Sequence, residues 1–363
     1  MFTMVLAMVQ AAGSFSMADP GWAKEGAVQV LEEQGRQAMR IGTGRALRRD
    51  IALADGTIDV DVWLTGLRSF VYVQFRMAGD RDHEEFYLRP HKSNLPDAVQ
   101  YAPVYRGESA WQLYHGPGGT AEVPLPVGRW VAVRVAVSAD RAALFVGDTV
   151  TPVVVVPRLA AGHRRGYLAL RGFVPAGSAA PYAALFSNFR VTHRTVTITA
   201  PPADTAPPGV VTEWEVSQPF RAEPGAVVTQ SEAAGRGPWH PVATEPNGML
   251  SLSRVVVRPK PERTTVLTRF RVEAARAGWY RMRLGFSDEV TVFVAGRPLF
   301  AANAAYSYDR PRQEGLITLD QATAFLPLTA GSNEVVIAVT DVFGGWGVWA
   351  ALDPTDGLAV RAP

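Results

Sequence analysis

Between Ser69 and His115 the chain carries three short runs in which aromatic, amide and charged side chains recur at every second position. In 70–77, Phe70, Tyr72, Gln74 and Arg76 alternate with Val71, Val73, Phe75 and Met77. In 84–91, Glu85, Tyr87, Arg89 and His91 alternate with Phe86 and Leu88. In 110–115, Gln112 and Tyr114 alternate with Trp111 and Leu113. Residues two apart on a strand share a face, so each run is predicted to sort into a core row and a recognition row. Trp63, with Asp59 and Asp61, supplies the outward row of an earlier strand, and Arg134 joins from a later one. Aromatic faces suit the C–H side of a sugar ring. Arg, Gln and carboxylates offer directed hydrogen bonds to hydroxyls, and Arg also pairs with a uronate or sulfate. The same residues have a second reading. Asp59, Asp61, Glu85, Arg76 and Arg89 are also suited to cross-strand ion pairs under a covering loop, worth only about 0–1 kcal/mol each where exposed.

The chemistry of bond cleavage is less legible. Asp80-Arg81-Asp82-His83-Glu84-Glu85 is acidic but follows a Gly-led turn. It reads as a solvated turn, or as one edge of a calcium site through Asp80, Asp82 and Glu84, although it lacks the Gly and terminal Glu of an EF-hand loop. A retaining glycosidase needs two carboxylates about 5–5.5 Å apart, and no strand here shows that spacing. A polysaccharide lyase would combine residues of the types of Gln74, Arg76, Tyr87, Arg89, His91 and Tyr114, with Tyr or His moving the proton. There is no Gly-Xaa-Ser-Xaa-Gly elbow, His-Glu-Xaa-Xaa-His helix or phosphate-binding loop. Gly42-Thr43-Gly44 reads as a turn. No catalytic residue is assigned.

Composition bounds the partners. The 36 basic and 34 acidic residues leave a formal charge of +2, which gives no electrostatic case for nucleic acid. With no Cys, disulfides, Cys-ligated zinc and thiol catalysis are excluded. Met1–Ala12 is apolar and uncharged, too short to span a bilayer, and Ser16-Met17-Ala18 offers small residues at a cleavage-site spacing. A secretory signal over 1–18 is therefore expected, with a secreted or periplasmic product and no transmembrane segment.

The 363 residues suffice for two domains, and the 47% hydrophobic content for full cores. The Pro-rich stretch at 200–209 breaks the chain near its middle. The expected division is a first domain over 19–196, a linker over 197–212 and a second domain over 213–363. Short apolar alternations broken by Gly, Pro and Asp predict an all-β protein of two β-sandwich domains. Helical periodicity is weak and confined to 27–40 and 320–325.

Against that background the first half resembles a known family. Ile58–Trp63, Phe70–Arg76, Glu85–Arg89, a Gly128-Arg129-Trp130-led strand, the hairpin at 142–148, Gly166–Leu170 and the closing Phe186-Ser187-Asn188-Phe189 are similar in order to a concanavalin A-like, laminin G-like jelly roll over about 45–193. The resemblance implies a concave sheet that holds glycans or proteins. In the second half, Gly285–Phe300 and Gly331-Ser332-Asn333-Glu334 before a valine-rich strand resemble a galactose-binding-like jelly roll, a scaffold in many glycosidases. Two segments there are candidate contacts: the loop 303–312, with its Tyr and Arg residues, and 343–349, where glycines would leave Trp346 proud of a turn. The alternative is that Trp346 and Trp349 plug the core.

The expected function is an exported carbohydrate-binding protein whose partner is a polysaccharide or oligosaccharide. The residues expected to line the site are Trp63, Tyr72, Gln74, Arg76, Glu85, Tyr87, Arg89, His91, Gln112, Tyr114 and Trp346. No cofactor is implied beyond a structural calcium. A lyase or glycosidase on the same face, and a protein-binding envelope module, are the alternatives.

Overall fold

The computed structural model describes residues 13–221, 223, 227–258, 263–307, 314–353 and 357–361. The protein is nearly all β and divides into two units. The first contains the chain up to Gly107 and again Tyr114–Pro202; the second contains Glu108–Leu113 and everything from Ala203 onward.

The first unit is one curled antiparallel sheet. Its strands are β1 (Gly13–Phe15), β2 (Ala23–Glu33), β3 (Arg36–Leu53), β4 (Gly56–Leu64), β5 (Phe70–Gly79), β6 (Asp82–Leu88) and β7 (Val99–Tyr105). After β8 (Glu108–Ser109) follow β9 (Thr120–Ala121), β10 (Trp130–Ser138), β11 (Arg141–Val146), β12 (Val154–Val156), β13 (Gly166–Phe173) and β14 (Ala184–His193). The lateral order is β12-β11-β10-β4-β14-β3-β13-β5-β6-β7, with β1 on β14, β2 on β3 and β9 on β7. Val60, Val62 and Leu64 of β4 share one core with Val71, Val73 and Phe75 of β5, although three strands lie between them. The sheet therefore folds over itself into a sandwich, which buries one face of its longer central strands.

Several expectations are corrected. The stretch 27–40 is not helical: β2 and β3 form a long hairpin, turned at Gln34 and Gly35, both with positive φ. Cross-strand pairing of two amphipathic runs outweighs the weak helical spacing. The stretch 320–325 lies largely in a strand of the second unit for the same reason. The run 110–115 is no strand, and its residues fall in different units: Gln112 in the second, Tyr114 in the first. The linker is tied at both ends. Ile198 packs with Ala136 and Ala143 in the first unit, and Val210 and Val211 are buried in the second.

The second unit has two sheets. One has the order β17-β15-β19-β24-β21-β22, with β16 and β26 also on β19. These are β15 (Glu213–Val216), β16 (Phe220–Arg221), β17 (His240–Ala243), β19 (Thr264–Ala274), β21 (Glu289–Val294), β22 (Arg297–Asn303), β24 (Gly331–Asp341) and β26 (Leu358–Arg361). The other has the order β18-β25-β20-β23, from β18 (Leu250–Ser251), β20 (Gly278–Ser287), β23 (Ala322–Leu328) and β25 (Gly347–Leu352). Both contribute to one core: Trp214, Phe270, Val292 and Ile337 meet Met282, Leu284, Phe286 and Val348.

The segment Glu108–Leu113 completes this unit. Gln112 is fully buried; its Oε1 accepts from the Gly345 N–H, and its carbonyl accepts from Ile317 N at 3.2 Å. A Cβ on Gly344 (φ +86°) would lie 2.0 Å from Gln112 Oε1, so glycine is required there on two counts. The Gly-rich stretch does admit close approach, but of this chain's own segment. Trp346 is correspondingly not proud: it is buried in the core, its Nε1 donating to Val339 O at 3.2 Å.

The expected signal peptide overlaps folded structure. Gly13–Phe15 pairs with β14, Met17 is buried in the core, and Trp22 Nε1 donates to Ser16 O at 3.0 Å. A chain beginning at Asp19 would lose a strand and a buried methionine; Met deletions of this kind cost about 2–5 kcal/mol. We expect it to melt several degrees below one beginning at Gly13, measured by calorimetry. Equal melting temperatures would show that β1 and Met17 contribute nothing.

Candidate ligand-binding face

The outward rows of β13, β5, β6 and β7 meet side by side. Arg171 stands opposite Tyr72, Tyr72 opposite Tyr87, and Tyr87 opposite Gln100. The next row is Ala169, Gln74, Glu85 and Ala102. The alternation predicted for β5 and β6 thus places Tyr72, Gln74, Glu85 and Tyr87 on one face.

These groups form a stacked, hydrogen-bonded layer. The Arg171 guanidinium lies 4.5 Å from the Tyr72 ring centroid, Tyr72 and Tyr87 are 5.2 Å apart, and the Arg89 guanidinium is 4.9 Å from Tyr87. Arg89 Nη2 donates to Tyr87 Oη at 2.6 Å, and the Tyr87 hydroxyl donates to Gln100 Oε1 at 2.7 Å. Arg89 also pairs with Asp97. Gln74 Nε2 donates to Glu85 Oε2 at 2.9 Å and contacts His83 Nε2 at 2.8 Å. Gln74 Oε1 and His83 Nδ1 are buried without a protein partner.

Burial decides how this layer works. Tyr72, Gln74, His83, Glu85, Tyr87, Arg89 and Gln100 are all buried, so they do not form the open groove that their types suggest. Desolvation pushes the Tyr87 hydroxyl up to about 12 and Tyr72 higher still, so both remain neutral donors. Burial opposes charge on Glu85, but His83, Arg171 and Gln74 outweigh it and hold its carboxyl below the usual range.

The layer reaches solvent at one margin. Phe70 at the start of β5 and Phe173 at the end of β13 are half-buried, as are Arg171 and His91, which lies in the short 3-10 turn Pro90–Lys92. Phe70 lies 5.4 Å from His91, 5.9 Å from Phe173 and 6.3 Å from Tyr87. Burial, with the charges of Lys92, Arg89 and Arg68, lowers the His91 imidazole to about 4, so it is neutral at pH 7. Its Nδ1 is itself buried and, among the described residues, has no hydrogen-bond partner.

The remaining predicted residues lie elsewhere. Arg76 leaves the row because its φ is +49°, at a register shift in the β5–β6 ladder. Its guanidinium donates to Ala54 O at 2.7 Å and to His163 O at 3.2 Å. The same irregularity turns Met77 from the core row to a side cluster with Leu47, Ala169 and Tyr167. Gly166 accommodates it: a Cβ there would lie 2.3 Å from the Arg76 carbonyl carbon. Tyr114 packs against the core, 5.9 Å from Tyr101. Trp63 sits three strands away, edge-on to Trp130 at 5.8 Å. Beside it, Asp61 pairs with Arg36, and Asp59 with Arg134 at 2.5 Å. For those two carboxylates the ion-pair reading describes the structure.

The carboxylates of the acidic turn point to different partners. Asp80 accepts from Tyr167 and from Arg49 at 2.6 Å, while Asp82 accepts from Arg106 N at 2.9 Å. Glu84 faces the core, opposite Phe75, whereas Glu85 faces outward, opposite Gln74. Among the described residues no group of three or more His, Asp or Glu is placed to hold a metal ion. In the second unit, Tyr306 lies 5.9 Å from Trp111 and 5.8 Å from Phe343, and residues 308–312 of the candidate loop lie outside the described residues. Among the described residues no helix is long and apolar enough to cross a membrane.

No family model and no curated protein matches the chain. Solved structures do. A carbohydrate-binding module, CBM66 from Bacillus subtilis, matches at 15% identity over 47% of this chain and 94% of its own, with a TM-score of 0.35. A Bacillus licheniformis beta-glucanase matches at 12% identity over 51% of this chain and all of its own, TM-score 0.35. The exoplasmic/lumenal domain of VIP36, bound to Ca2+ and Man3GlcNAc, matches at 12% identity over 50% and 86%, TM-score 0.35.

Glu84 generates a pH prediction. Burial raises its carboxyl to about 7, against the opposing hydrogen bonds from the Tyr101 hydroxyl and Ala161 N–H. The folded state therefore holds a proton that the unfolded state releases near pH 4.5. Stability from this group is complete below that pH and is lost as pH rises toward 7, by on the order of 3 kcal/mol. Glu84→Gln should gain melting temperature relative to the parent progressively between pH 5 and pH 8. A pH-independent difference would contradict the assignment.

Proposed function

We propose that the protein binds carbohydrate at the half-exposed margin formed by Phe70, His91, Phe173 and Arg171. The observation that carries this reading is the half-exposed aromatic cluster of Phe70 and Phe173, beside His91 and the Arg171 guanidinium. Phe70 and Phe173 offer apolar faces to the C–H side of a sugar. The Arg171 guanidinium offers directional hydrogen bonds to its hydroxyls, and the half-buried His91 ring flanks Phe70. Tyr72, Tyr87, Arg89 and Gln100 act from behind as a rigid support, since a site is selective only when its lining groups are held.

This assigns different roles to residues that the sequence grouped together. Arg89 is a buried partner of Tyr87, Gln100 and Asp97, so replacing it strands polar groups and damages the fold. Phe70 and His91 lie at the surface of the layer and are the appropriate probes. Export belongs to the same reading, on the apolar run Met1–Ala12, which lies outside the described residues.

Affinity-gel electrophoresis of the full chain against a panel of polysaccharides tests the proposal. Phe70→Ala with His91→Ala should weaken retention at least tenfold while leaving the cooperative melt in place. Retention by the parent should be level from pH 8 to pH 5 and fall as His91 charges near pH 4. Unchanged retention by the double variant would overturn the margin as the site. Release of reducing ends or unsaturated uronates would replace binding by catalysis.

A further inference from the structure

The four-stranded sheet of the second unit exposes a row that the core does not use. On β20, Met282, Leu284 and Phe286 face the core, so Trp279, Arg281 and Arg283 face outward. On β23, Ala324, Leu326 and Leu328 face the core, so Thr323, Phe325 and Pro327 face outward. Trp279 is 71% exposed and Phe325 57%. The register sets Trp279 opposite Pro327 and Arg281 opposite Phe325. Opposed residues are about 5 Å apart and same-face neighbours about 7 Å, so the four side chains tile one flat patch.

Its border carries both signs of charge. Arg281 pairs with Asp353 at 3.3 Å; Arg283 pairs with Asp320 at 3.2 Å and with Asp353 at 3.6 Å. Two guanidinium groups and two carboxylates thus flank a Trp–Phe–Pro surface. Nothing in the core requires rings at 279 and 325, and apolar side chains grouped on one exposed face mark a contact surface.

We propose that this patch is a second carbohydrate contact, for a neutral polysaccharide chain. The occupant follows from the charge balance. An anionic membrane surface would meet the exposed Asp320 and the half-buried Asp353 carboxylates. A second copy adding to the β23 edge would meet Pro327, which contributes no backbone N–H. A neutral sugar chain is satisfied by what is there: its C–H faces rest on Trp279 and Phe325, and its hydroxyls donate to Asp353 and accept from Arg281. The patch shares a ligand class with the Phe70 margin but none of its residues.

The test uses the full chain and three variants: Trp279→Ala with Phe325→Ala, Phe70→Ala with His91→Ala, and all four substitutions together. The probes are xyloglucan, laminarin and linear arabinan in affinity gels. The Trp279/Phe325 pair should lose at least tenfold retention on one of these neutral polymers, with an unchanged melting temperature, and the fourfold variant should lose more. Loss only in the Phe70/His91 variant would overturn this proposal and spare the first site. Loss only in the Trp279/Phe325 variant would do the reverse. Sedimentation velocity and co-sedimentation with phosphatidylglycerol–phosphatidylcholine vesicles complete the test. If the rings govern self-association or vesicle binding while polysaccharide retention is unchanged or missing, the patch is an interface for a protein copy or a membrane.

Discussion

The hydrogen-bonded stack of Arg89, Tyr87 and Gln100, with Tyr72 and Arg171 laid against it, is the interaction on which the first unit's outward layer depends. A sheet face lined by tyrosine hydroxyls, an amide and a guanidinium is costly to bury unless each polar group finds a partner. Here the strand register supplies the partners, because it sets Tyr72, Tyr87 and Gln100 in one transverse line. Arg89 extends that line at the end of β6 and is fixed in turn by Asp97. With the layer locked, the neighbouring Phe70, Phe173 and His91 are held at its half-exposed margin.

The backbone creates this layer by breaking its own rule at one place. Had β5 stayed regular, Arg76 would stand in the row after Gln74. The positive φ at Arg76 turns its guanidinium to the carbonyls of Ala54 and His163 and brings Met77 over to Leu47 and Ala169. Gly166 permits the approach on the neighbouring strand. The second unit uses glycine in the same way, at Gly344, to admit Gln112.

Much of the architecture is legible in the sequence because period-two alternation is a direct imprint of burial. Val71, Val73 and Phe75, like Phe86 and Leu88, occupy the core as the pattern implies. The candidate site was legible in residue type but not in exposure. Nothing local distinguishes a Tyr72 that meets a sugar from one that meets Arg171, since both roles favour the same side chains. The bulge at Arg76 leaves no sequence mark beyond Gly166, which lies ninety residues later by numbering and only becomes a neighbour through pairing. Gln112 and Tyr114 were grouped by spacing, yet the run that holds them is not extended, and the chain passes between units there. The shared outward phase of Trp279 and Phe325 was not legible, because 320–325 carries a weak helical spacing and becomes a strand only through pairing with β20.

The central claim is that the buried layer presents a sugar-binding margin without itself touching the ligand. A crystal structure of the full chain with a retained oligosaccharide tests this most directly. The account predicts a sugar ring lying on Phe70 or Phe173, with a hydroxyl within hydrogen-bonding distance of the Arg171 guanidinium and the Tyr87–Arg89–Gln100 bonds unchanged. A sugar seated on neither ring, or one that replaces Gln100 as the partner of Tyr87, would contradict it.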